Sequence, residues 1–162
     1  MSKVIELFPG VYRINGLLAT KNLTPTKRVY GEKLFAADGI EYRQWDLFRS
    51  KLAGAISKGL NHMAIAPGSL VLYLGASTGT TVSQVSDIVG NEGGVFAVEF
   101  AQRSMRDLLR MCEERKNVLP IFGDARKPRE YAEYLGGEKA DVLYQDVAQP
   151  DQAEIFVANA KM

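Results

Sequence analysis

Cysteine and histidine occur once each in this 162-residue chain, as Cys112 and His62. A single cysteine permits no internal disulfide, which suits a reducing cytosol, so a cytoplasmic location is expected. A lone histidine in a connector before Pro67-Gly68 reads as incidental, and no metal ligand set is assigned. No apolar run approaches the roughly 18–20 residues of a membrane span. The start, Met1-Ser2-Lys3-Val4-Ile5-Glu6, lacks the apolar core of a signal peptide. Internal repeats and low-complexity segments are absent. What remains, 46% hydrophobic and 24% charged, is the composition of one ordinary globular domain with a small appendage.

The net charge is only +1, but it is unevenly placed. Residues 1–60 hold ten Lys/Arg against five Asp/Glu, while the remainder holds ten against fourteen. The basic third suits either a phosphate-bearing partner or a plain solvated surface.

The most informative stretch runs from Ser69 to Thr81. Leu70–Leu74 is continuously apolar, as a parallel strand covered on both faces would be. Gly75 and Gly79 allow a tight turn and close approach of a ligand. Thr80 and Thr81 then offer hydroxyls and N–H groups at a helix start. This is the form of the first βα turn of a nucleotide-type binding fold.

Residues 1–45 read as a small β unit. Strands are expected at Val4–Phe8, Val11–Ile14, Leu17–Lys21, Lys27–Tyr30 and Ile40–Trp45, with turns at Pro9-Gly10, Asn15-Gly16 and Asp38-Gly39. Residues 46–162 read as the second unit. Asp46 suits the N-cap of a helix to about Leu60, with Phe48, Leu52, Ala55, Ile56 and Gly59 turned inward and Lys51 beside that stripe. After the strand at Leu70–Leu74 come a helix over Thr80–Val89 with Val82, Val85 and Val89 on its inner face, and a strand over Val95–Val98. A helix over Ala101–Lys116 follows, placing Cys112 in the core, then a strand over Asn117–Phe122. A short helix over Arg129–Leu135, a strand over Asp141–Tyr144 and a helix from Asp151 complete the chain. Four alternations of strand and helix predict an α/β, doubly wound parallel sheet.

Ligands bind outside the carboxyl ends of such strands. Three of the four ends carry an acid: Glu99, Asp124 and Asp146. Glu99 lies 24 residues after Gly75, near the roughly 20 expected of an acid that accepts ribose hydroxyls. Phe100 could pack on a purine. Asp124 could accept an adenine amino group while the Ala125 N–H donates to a ring nitrogen. Asp146 would stand where the transferred group sits. The turn Gly75-Ala76-Ser77-Thr78-Gly79 is not the G-x-G-x-x-G that brings backbone against a pyrophosphate. S-adenosylmethionine has no phosphate, so a looser turn suffices, and this cofactor is favoured over NAD.

Gly75 to Thr81, Val98-Glu99-Phe100, Gly123-Asp124-Ala125-Arg126 and Asp146-Val147-Ala148-Gln149-Pro150 together resemble fibrillarin in its archaeal form. So do Leu23-Thr24-Pro25, Val29 to Glu32 and Trp45 to Ile56, so the resemblance covers essentially the whole chain. The glycine- and arginine-rich tail of eukaryotic members is absent.

The resemblance implies a Rossmann-like methyltransferase sheet and S-adenosylmethionine-dependent methylation of the ribose 2′-hydroxyl in rRNA and tRNA. The implied partners are a box C/D guide RNA that selects the target, a Nop-domain scaffold protein and a kink-turn-binding ribosomal-type protein. No membrane is involved. Carried over, cofactor contacts fall on Thr80, Thr81, Glu99, Phe100, Asp124, Ala125, Asp146 and Gln149, and the turn residues Gly75, Ala76, Ser77 and Gly79 are expected to cradle the same cofactor. The family's catalytic set is Lys-Asp-Lys-His. Lys51 matches the first lysine and Asp146 the aspartate. The other two lie beyond the fourth strand and its helix, so the chain, ending at Met162, reads as truncated after strand four, and His62 does not replace the missing histidine. Two other readings stay open: a non-catalytic assembly module that binds scaffold and cofactor, and an NAD-dependent oxidoreductase.

Overall fold

The computed structural model describes residues 3–162. Five strands, β1 (Val4–Phe8), β2 (Val11–Ile14), β3 (Leu17–Lys21), β4 (Leu34–Ala37) and β5 (Ile40–Gln44), form an antiparallel sheet in the order β1-β2-β3-β5-β4. Two of its hairpins close through two residues with positive φ. Asn15 and Gly16 stand at 49° and 83°, Asp38 and Gly39 at 52° and 76°. Such turns match the twist of paired strands and explain the Asn-Gly and Asp-Gly sequences. The expected strand at Lys27–Tyr30 is a loop instead. It wraps the Glu32 carboxylate, which accepts the N–H groups of Val29 and Tyr30, and the strand falls later, at β4.

The second sheet is parallel. Strands β6 (Leu70–Leu74), β7 (Gly94–Glu99), β8 (Val118–Phe122) and β9 (Val142–Gln145) lie in the order β8-β7-β6-β9. The chain steps outward from β6 to β8, then returns to β9 beside β6, so a crevice opens where the direction reverses. Alternate residues of β6 serve opposite faces. Val71 and Tyr73 join the core formed with α2 (Thr80–Val89) and α3 (Gln102–Glu114). Leu72 and Leu74 join Ile121 of β8, Tyr131 between the 3-10 turns at Pro128–Glu130 and Ala132–Leu135, Leu135 of the second turn, and Ile155 of α4 (Gln152–Ala160). Cys112 packs against the first core, and burial pushes its thiol up to about 11.

The helix before β6 is shorter than its sequence pattern. Helix α1 spans Lys51–Ser57, and its N-cap is Ser50, whose Oγ accepts the Ala53 N–H at 3.3 Å. Asp46 caps a preceding turn, accepting the Phe48 N–H at 2.8 Å. Phe48 therefore precedes the helix and is 100% exposed, while Leu52, Ala53 and Ile56 face inward and Ala55 and Gly59 do not.

Helix α2 is buried almost all round, not on its valine face alone. The antiparallel sheet covers its polar side, and the two surfaces are joined by buried charge. Asp87 accepts from Arg43 Nε at 2.8 Å, Arg115 Nη1 at 2.5 Å and the Leu23 N–H at 3.0 Å. Arg43 also reaches Glu32 and Ser83. Burial alone would raise the Glu32 carboxyl, but the Tyr30 N–H and the Arg43 guanidinium override it and hold it below its ordinary value. Among the described residues no helix is long and apolar enough to cross a membrane.

Candidate active site

The glycine turn after β6 is fixed by backbone geometry. Gly75 and Ala76 both donate N–H bonds to Val98 O at 3.0 Å, which folds the turn over the end of β7. Gly75 stands at φ 82°, and a Cβ there would lie 2.4 Å from the Asp146 carbonyl oxygen. Only glycine lets β6 and the segment after β9 approach this closely. Gly79, at φ 89°, has a different job. A Cβ on it would crowd the side-chain ends of Leu108 and Met111 at 3.0 Å, so it seats the start of α2 on α3. It lies outside the cleft lining, unlike the other residues expected there.

A cleft of about 590 Å³ opens above these strand ends. Its lining includes Gly75, Ala76, Ser77, Thr80 and Thr81 from the first turn. Glu99 ends β7 and Phe100 follows it, Asp124 and Ala125 follow β8, and Asp146 and Gln149 follow β9. Lys51 enters from α1. His62 is not among them.

Each acid is held differently. Glu99 is only 6% exposed, and its two oxygens separately accept the Ser77 and Ala101 N–H groups at 2.7 Å. Ser77 takes a positive φ of 51° to do so. The carboxylate is thus aimed by backbone on both sides, with lone pairs left for a ligand. Asp124 accepts the Arg126 N–H at 3.0 Å and the guanidinium at 2.7 Å. The Arg126 side chain and N–H hold its carboxyl below the usual carboxylate range, against a weaker desolvation effect. Asp146 Oδ1 takes the Lys51 Nζ at 2.5 Å. Lys51 is far in sequence but arrives because Ser50 starts α1 at the mouth of the cleft.

Tyr73 is a cleft-lining residue that the apolar run concealed. It packs against Tyr144 with centroids 4.7 Å apart and the rings inclined at 43°. Burial, then the neighbouring Tyr144 and Asp146, push its hydroxyl well above the ordinary value, so it stays neutral beside Asp146. Its place two residues before Gly75, on the outgoing end of the strand, was the available signal. Arg126 and Ile155 also line the cleft and had no role in the sequence reading.

The fibrillarin family profile matches residues 3–162. The chain belongs to the fibrillarin family. It is 53% identical over 160 residues to the fibrillarin-like rRNA/tRNA 2′-O-methyltransferase of Thermococcus onnurineus, covering 96% of this chain and 70% of that protein. Among solved structures, fibrillarin of Aeropyrum pernix with natively bound S-adenosyl-L-methionine superposes with a TM-score of 0.90 at 47% identity, covering 99% of this chain and 74% of that one. A fibrillarin from a fibrillarin/Nop5p complex gives 0.85 at 45% identity, covering 97% and 70%. These superpositions take in both sheets of this chain.

Proposed function

We propose that this fibrillarin binds S-adenosylmethionine in the cleft and methylates the 2′-hydroxyl of ribose in rRNA and tRNA at sites chosen by a guide RNA. The observation that carries the reading is the Lys51–Asp146 ion pair standing at the cleft that Glu99 and Asp124 line. The cleft suits the cofactor on its own terms. About 590 Å³ falls within the range of small-molecule sites. Glu99 presents a pre-aimed carboxylate for two ribose hydroxyls, and the glycine turn lacks the pyrophosphate pattern, which disfavours NAD.

The bound cofactor supplies a methyl group already activated on a sulfonium. The chain's residues then have three tasks. Glu99, Asp124 and the Ala125 N–H fix the nucleoside end, while Thr80, Thr81 and Gln149 line the remainder, which makes reaction a matter of alignment. Asp146 accepts the proton of the ribose hydroxyl as that oxygen attacks, a general-base role. Lys51, 2.5 Å from Oδ1, holds the Asp146 carboxylate in place before the proton moves. Residues 1–45 serve as an N-terminal unit and 46–162 as the catalytic unit. The modest net charge fits delegation of sequence reading to base pairing and of phosphate contacts to a Nop-domain scaffold and a kink-turn-binding protein.

Calorimetric titration with S-adenosylmethionine and with NAD tests the first step. Saturable heat is expected with the first only. Binding of NAD alone would refute it.

A further inference from the structure

We infer that Asn159 and Tyr131 are positioning residues for the turn Gly123-Asp124-Ala125, and through it set the preference for adenine over other purines. The inference rests on the cleft's being the S-adenosylmethionine site.

Asn159 lies in the last turn of α4 and is 4% exposed. Its amide is fully used. Nδ2 donates to Ala125 O and to Ile155 O, both at 2.8 Å, and Oδ1 accepts the Tyr131 hydroxyl. Tyr131 is 1% exposed, and burial above all pushes its hydroxyl up to about 12, so it acts as a donor and not as an acid. The Tyr131 ring meanwhile backs Gly123, where a Cβ would come within 3.1 Å of it. Gly123 N–H reaches Glu99 O at 3.1 Å.

These bonds grip the turn residue by residue. The ring supports Gly123. The peptide after Ala125 is held at both ends, its oxygen by Asn159 and its N–H by Asp124 Oδ1 at 3.0 Å. The Ala125 N–H, which would face the purine ring, is therefore clamped from behind. The same Asn159 amide holds Ile155, which lines the cleft as an apolar wall. One buried side chain thus sets the spacing between the polar edge and the wall of a base site. Hydrogen bonds weaken steeply with misalignment, so this spacing governs selectivity. A buried polar network of this kind either satisfies every member or costs stability. Here every polar atom of the amide is satisfied.

The chemistry gives a readout that mere structural support would not move. Hypoxanthine presents a carbonyl where adenine has its amino group, and an N–H where adenine has an acceptor. It would set oxygen against Asp124 and N–H against the Ala125 N–H. A site built to pair polar groups rejects such an analogue strongly. Asn159→Asp keeps the acceptor for Tyr131 but removes both donors, placing a carboxylate oxygen against Ala125 O and Ile155 O. Tyr131→Phe keeps the ring on Gly123 and removes the hydroxyl.

Calorimetry with S-adenosylhomocysteine and S-inosylhomocysteine, alongside thermal melting, tests the idea on the full chain. The wild type should prefer the adenine form. Asn159→Asp should weaken adenine binding by about tenfold with little change for the inosine form, collapsing the preference. Tyr131→Phe, the milder variant should Asn159→Asp fail to fold, should reduce the preference by about threefold. Unchanged preference in Tyr131→Phe or in folded Asn159→Asp, even with a lowered melting temperature, would overturn the inference while leaving the cofactor reading intact. A wild type that binds neither ligand would overturn both.

Discussion

Lys51 Nζ stands 2.5 Å from Asp146 Oδ1, joining the first turn of α1 to the end of β9 across 95 positions of sequence. The lysine is 81% exposed and the aspartate 20%. An exposed pair of this kind is worth about 0–1 kcal/mol to folding, so stability does not explain it. Lys51→Met should leave the melting temperature nearly unchanged and lower kcat for ribose methylation by about 100-fold, the lower end for loss of general-base function. Paired melting curves and single-turnover assays check both halves. A loss of stability without loss of rate would make the pair a structural brace.

Gly75→Ala should damage both fold and activity. The new Cβ would lie 2.4 Å from Asp146 O and 2.9 Å from its carbonyl carbon, with φ at 82°. The left-handed backbone alone costs about 1–2 kcal/mol for a residue with a Cβ. The backbone clash adds to this and pushes Asp146 away from Lys51. Denaturant titration should report a loss of at least about 2 kcal/mol, and methyl transfer should fall with it.

Asp87→Asn should be among the most destabilising single changes in the described chain. The carboxylate faces Arg43 and Arg115 with no access to water, and both guanidinium groups would lose their shared counter-charge. Removing one partner of a buried ion pair costs about 3–5 kcal/mol. Urea unfolding should give that loss, whereas an exposed control such as Asp107→Asn should change little.

Cys112 gives a pH dependence with a definite sign. Burial raises its thiol to about 11, while an unfolded chain's thiol ionises near 8.5. Below about 8.5 both states hold the proton and stability is unaffected. As pH rises from there towards 11, the unfolded state loses its proton first and stability falls. Alkylation of the native protein should likewise be slow at pH 8 and rise about tenfold per pH unit beyond it. A rate that saturates below pH 9 would contradict this placement.

Much of the cleft lining was readable because it lies at strand ends, where apolar runs stop and acids begin. Glu99, Asp124 and Asp146 all fall at such boundaries and line one cleft. What was not readable depends on tertiary cover. Ser83, Gln84, Ser86 and Asp87 look like the solvent side of an amphipathic helix, but a second sheet lies over them. Phe48 has helical spacing, yet Asp46 makes a turn before Ser50 starts the helix, so the ring stays outside. Gly79 shares a motif with Gly75 but serves helix packing. Asn159 carries no local signal at all, since its partners Ala125 and Tyr131 lie 34 and 28 positions away.

Methyl transfer from S-adenosylmethionine to a guide-paired RNA, with scaffold and kink-turn proteins present and the product mapped by resistance to alkaline cleavage, shows whether Asp146 drives ribose methylation. One 2′-O-methylated nucleotide is expected with the native sequence, and none with Asp146→Ala even at saturating cofactor. Equal methylation by Asp146→Ala, or a methyl group on a base instead of a ribose, would contradict that role.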